Sequence, residues 1–108
     1  MKKVKIASKG KLVRLSKVRI KQNLGDGFLR TVFATQTIDP NEFLTIDLTA
    51  AEGRVVVNAG WSITGGNNPA YATNSFPLST TVWRLILRNP TNNQRTVTPY
   101  LITKLAPA

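Results

Sequence analysis

The sequence predicts an all-β protein: an antiparallel β-sandwich or jelly-roll-like body that carries an extended basic N-terminal arm. Apolar residues alternate with polar ones instead of recurring at helical spacing, and Thr, Val and Ile are frequent, as half-buried pleated surfaces favour. Turn-forming clusters recur at short intervals and mark off seven or eight short strands, the pattern of a sandwich or jelly roll. Charge is divided sharply. Nine of the fifteen Lys/Arg residues fall within residues 1–21 with no acid among them, whereas the rest of the chain holds six cations against five acids.

In chain order, KVKIA (3–7) places Val4 and Ile6 on one face with Lys3 and Lys5 on the other. SKVRIK (16–21) likewise sets Val18 and Ile20 against Lys17, Arg19 and Lys21. Lys9–Gly10 between them reads as a turn. The loop NLGDG (23–27) leads to a strand, FLRTVFATQTI (28–38), and the turn DPNE (39–42) leads to FLTIDLT (43–49), with Leu44, Ile46 and Leu48 on one face. GRVVVNAGWSI (53–63) follows, then a long polar loop over 64–77 whose tip is Gly65–Asn68. Two strong strands, TTVWRLILRN (80–89) and RTVTPYLITKLA (95–106), are linked by NPTNNQ (89–94), which has hairpin-turn chemistry. In the first of them Trp83, Leu85 and Leu87 face the core while Arg84 and Arg88 face out. The compositional boundary near Gln22 divides an arm, 1–22, from a sandwich domain, 23–108.

At 108 residues the chain has room for one hydrophobic core. No apolar run approaches the roughly 20 residues of a membrane-spanning helix. Lys9, Lys11 and Arg14 interrupt what would be the apolar part of a secretory signal. With no cysteine and no histidine, thiolate chemistry, disulfides, zinc–sulfur sites and the usual general base are all missing. The carboxylates Asp26, Asp39, Glu42, Asp47 and Glu52 show no catalytic spacing, and there is no phosphate-binding glycine loop. Asp39-Pro-Asn-Glu42 could ligate a hard cation, but Asp followed by Pro is also how a tight turn begins, and the turn is preferred. The chain is expected to be no enzyme and to need no cofactor or metal.

Binding residues stand out more clearly. Trp83 and Trp61 are read as core, and Tyr71 and Phe76, in the 64–77 loop, as the better contact candidates. The arm supplies Lys2, Lys3, Lys5, Lys9, Lys11, Arg14, Lys17, Arg19 and Lys21; Arg84 and Arg88 join them as cations facing out from a strong strand. Cations gathered without counter-charge repel one another, which points to an anionic partner. Nucleic acid would attract them, but the arm has no aromatic residue to stack on bases. An acidic protein surface fits better, because Val4/Ile6 and Val18/Ile20 add an apolar face to the charge.

Gly60–Trp61, a loop ending in Pro77, the Trp83 strand, Asn89–Pro90 and Thr96–Val97–Thr98–Pro99–Tyr100 together resemble small β modules of bacteriophage tail fibres and capsid-surface proteins. The resemblance covers about half of the chain and implies a virion structural part. The expectation is a capsid decoration or cement protein that binds the major capsid protein through its basic arm and stabilises the assembled shell by mass action. It would be made in the host cytoplasm and reside on the capsid surface. A homotrimer on the particle is expected, with Arg84 and Arg88 pairing with acids such as Asp47 or Glu52 of a neighbour. The alternatives are a tail-associated, receptor-binding module that uses the 64–77 loop, and a nucleic-acid-binding protein with a basic arm.

Overall fold

The computed structural model describes residues 10–64 and 70–107. Their backbone forms nine strands and no helix: β1 (Lys11–Leu15), β2 (Val18–Gly25), β3 (Phe28–Phe33), β4 (Gln36–Ile38), β5 (Glu42–Thr49), β6 (Arg54–Ile63), β7 (Tyr71–Pro77), β8 (Val82–Asn89) and β9 (Arg95–Leu105). The KVKIA segment, Lys2, Lys3, Lys5, Lys9 and the Gly65–Asn68 tip lie outside the described residues.

The strands make two sheets, and the all-β sandwich expected from the sequence is what the chain forms. One sheet runs β1-β5-β8-β7, antiparallel except for the parallel β1–β5 pair. In the other, β9 is central. It pairs with β6 along one edge, from Val97 to Leu105, and with β3 and then β4 along the other, and β2 pairs with β3. The two faces meet in a core of Phe33, Ile38, Leu44, Ile46, Leu48, Ala59, Leu85, Leu87, Val97 and Leu101. The alternation read from FLTIDLT and VWRLILRN is the alternation observed: Leu44, Ile46, Leu48, Leu85 and Leu87 are all 2 % exposed or less. Full burial of each such side chain favours folding by about 1.5–3 kcal/mol.

Several expectations about individual elements change. FLRTVFATQTI is two strands, since the ladder to β9 stops at Val32↔Tyr100 and resumes at Gln36↔Val97. The gap faces Thr98 and Pro99, and proline has no N–H to give a ladder. A hydroxyl pair, Thr35 Oγ to Thr98 Oγ at 2.7 Å, bridges it. Half of the expected 64–77 loop is β7, paired with β8 and bulged between Ala72 and Asn74. At the β2–β3 turn, Asp26 and Gly27 have φ of 54° and 84°, the double positive φ of a two-residue hairpin loop matched to strand twist.

The DPNE and NPTNNQ turns lie together at one end of the sandwich. Asn89, fully buried, joins them. Its side-chain amide donates to the carbonyls of Ile38 (3.0 Å), Asp39 (3.2 Å) and Asn93 (2.8 Å), and its Oδ1 accepts from the Thr91 N–H (3.0 Å) and hydroxyl (2.7 Å). Asn41, at φ 58°, donates its N–H to the Thr91 carbonyl. The turn reading of Asp39–Glu42 therefore has its geometry.

Candidate docking surface

The first described residues belong to the sheets. β1 extends one sheet in parallel with β5, and β2 extends the other against β3. Ser16 and Lys17 alone separate the two strands, so both sheets end on the same side of the sandwich. The expected boundary between arm and domain, at residues 22 and 23, falls inside β2. β1 is not legible in the sequence, because KLVRL lacks strict alternation and its partner, β5, lies some thirty residues away.

Val13, Leu15 and Val18 pack against the core, whereas Lys11, Arg14, Lys17, Arg19 and Lys21 are exposed. Val18 and Ile20 do not share a face as expected. A bulge between them pairs Val18 with the buried Phe33 but Ile20 with Val32, and one extra residue inverts the pleat. Ile20 is consequently 58 % exposed on the outer surface beside the cations. Lys11 meets Asp39 at 3.4 Å, a solvent-exposed pair that screening makes weak. Among the described residues, Arg14, Lys17, Arg19 and Lys21 form no ion pair. Basic side chains on an edge strand also discourage edge-to-edge aggregation, and one or two suffice for that. Five on and between the adjoining edges of two sheets make an anion-seeking side.

The outer face of the β1-β5-β8-β7 sheet brings Arg14 and Arg84 into one cross-strand row, with Asp47 between them. Asp47, 4 % exposed, receives both Nε (2.8 Å) and Nη2 (2.9 Å) of Arg84. This fork geometry is the strong form of an arginine–carboxylate pair. Hydrogen bonding to Asp47 raises the Arg84 pKa above its ordinary value. Arg84 was expected to reach an acid on a neighbouring copy; its acid is Asp47 of its own chain, directly opposite on β5. Of the two arginines, Arg88 is the less committed. Its guanidinium lies over the Phe43 ring, 5.1 Å from the centroid, and its buried Nη1 has no hydrogen-bond partner among the described residues.

Trp83 and Trp61 are partly buried against the core, and the Trp83 indole donates to Ser75 Oγ at 2.9 Å. Tyr71 is 48 % exposed on β7, while Phe76 is half-buried. The Gly60–Trp61 step has a local cause within its own sheet, where Gly60 on β6 lies directly opposite Tyr100 on β9. The Tyr100 ring lies across Gly60 so closely that a Cβ there would fall 2.3 Å from its ring atoms. Arg30 stacks on that ring at 4.9 Å.

A protein-family model described as YjdH matches residues 9–103. No curated protein and no solved structure matches the chain.

Proposed function

For this chain, which belongs to the YjdH family across residues 9–103, we propose a structural role on a phage-like virion. It is a capsid decoration or cement protein that docks on the major capsid shell through the basic β1–β2 side and stabilises the assembled particle. The observation that carries the docking is the juxtaposition of Lys11, Arg14, Arg19 and Lys21 on the terminal strands of both sheets with Lys17 in the link between them, and with Leu12 and Ile20 exposed among them. Held on a folded scaffold, these cations are already positioned, so less ordering entropy opposes binding than for a free tail. Charge speeds and orients the encounter, and the exposed aliphatic side chains and strand edges supply the lasting contact. The virion setting is supported by the resemblance of the C-terminal half to phage surface modules.

The test is cosedimentation of the full chain with assembled shells and, separately, with double-stranded DNA across a salt series. The proposal expects saturable binding to shells that persists at salt concentrations where DNA binding has been lost, since counterion release makes the latter steeply salt-dependent. DNA binding with no retention on shells would replace the proposal with the nucleic-acid reading.

A further inference from the structure

From Val55 to Trp83 the chain contains no Asp, Glu, Lys or Arg, twenty-nine residues in succession within a protein of net charge +10. That segment builds β6 and β7, the strands that close the two sheets on the side away from β1 and β2. Among the described residues β6 pairs only with β9 and β7 only with β8, so both layers end there without a further strand. Between them lies a cleft of about 490 Å³ lined by Val55, Val56, Pro77, Ser79 and Thr80. Leu78, next to that lining, is 46 % exposed, and Val57 is 41 % exposed.

We infer that this charge-free side docks a second copy of the same chain about a two-fold axis, with Leu78 of each copy seated in the cleft of the other. Two copies of a strongly cationic chain repel wherever their cations meet, and the 55–83 segment itself contributes none. At its margin Arg54 is tied to Thr103 and Gly27, and Lys104, opposite Val55 on β9, is the one exposed cation beside the cleft among the described residues. A two-fold contact must be self-complementary, bearing knob and hole on one patch. Leu78 and the cleft meet that condition, since the residues on either side of the leucine line the hole. A ring of three would instead need knob and hole on separate faces. Both layers end on this side, so an axis normal to the sheets sets β6 beside its mate and β7 beside its mate together. Continuous ladders are not what joins them. Bulges at Val56/Asn58 and Ala72/Asn74, together with Pro77, interrupt both strands, and the Val56 N–H already serves the Thr80 carbonyl at 2.8 Å. Side-chain packing is therefore the contact. The basic sides then point outward at opposite ends of the pair, and the inference does not depend on what they bind.

The test is the mass of the full chain by sedimentation equilibrium at about 0.5 M salt, where screening shortens the reach of the cations to a few Å. The wild type should be a dimer, and Leu78→Asp should weaken association by at least about tenfold while keeping the wild-type melting profile. Leu24→Asp, at an aliphatic of the same 46 % exposure on β2, should leave the dimer intact. Because the chain has no cysteine, Leu78→Cys gives a second reading that tolerates a destabilised Leu78→Asp: on oxidation it should yield a covalent dimer. A wild type that stays monomeric, a trimer, or a dimer unmoved by Leu78→Asp and not trapped by Leu78→Cys would overturn the inference.

Discussion

Replacing Asn89 tests how the sandwich end is held. The side chain is fully buried, and its five hydrogen bonds join Ile38 and Asp39 of one turn to Thr91 and Asn93 of the next. Asn89→Ala removes every one of them. A buried group left without a partner costs about 1–3 kcal/mol. The Ile38 carbonyl is the one whose hydrogen bond is buried, while solvent can reach the Thr91 and Asn93 groups in part. One full penalty plus partial losses at the others sums to about 3 kcal/mol, a large share of the stability of a domain this size. Asn89→Asp separates donors from acceptors. It keeps an oxygen for Thr91 but aims a carboxylate at three carbonyls, so at neutral pH it should be less stable than Asn89→Ala. That placement raises the folded-state pKa of the new carboxyl above its unfolded value. Stability is then highest below the unfolded pKa, where the carboxyl is protonated and can donate, and is lost as pH rises through the folded pKa. Urea unfolding followed by tryptophan fluorescence, with an unchanged m value, measures both. An Asn89→Ala protein within 1 kcal/mol of wild type, or an Asn89→Asp protein as stable as wild type at pH 7, would refute the reasoning.

Other consequences follow from the same geometry. Trp83→Ala should cost about 2–3 kcal/mol, below the range for a fully enclosed aromatic, because Trp83 is only partly buried and Ser75 can hydrate once its indole donor is gone; thermal unfolding measures it. Gly60→Val should displace the Tyr100 ring from β6 and lower stability by about 1–3 kcal/mol, with the loss relieved when Tyr100→Ala is combined with it. Deleting residues 1–9 should leave a folded protein, whereas deleting 1–21 removes β1 and half of β2, disrupting one end strand of each sheet, and should abolish cooperative unfolding. Circular dichroism of the two truncations separates these outcomes.

The strands whose faces differ most were legible in the sequence. FLTIDLT and VWRLILRN alternate cleanly because one side meets the core and the other meets solvent or the Arg84–Asp47 pair. The turns were legible as well, since Asp-Gly, Asp-Pro-Asn and Asn-Pro carry their backbone preferences locally. What could not be read was non-local. β1 is a strand because β5 lies beside it, and the 28–38 segment splits because Pro99 faces it from some sixty residues on. The bulge after Val18 turned an expected apolar face inside out, as a single inserted residue does in a period-two structure. Binding residues follow the same division. The cations were visible as a charge run, but that they sit on the end strands of both sheets emerged only from pairing. Arg84 looked free because its acid lies thirty-seven residues away, and the charge-free span became a surface only once β6 and β7 proved to close the same side.

A density map of decorated particles, with the chain placed in it, tests the docking most directly. The account predicts that β1 and β2 face the shell, with Lys17, Arg19 and Lys21 against acidic patches of the capsid protein, and that the β6–β7 side points away from it. A map in which the β6–β7 side lies on the shell and the five cations point into solvent would contradict it.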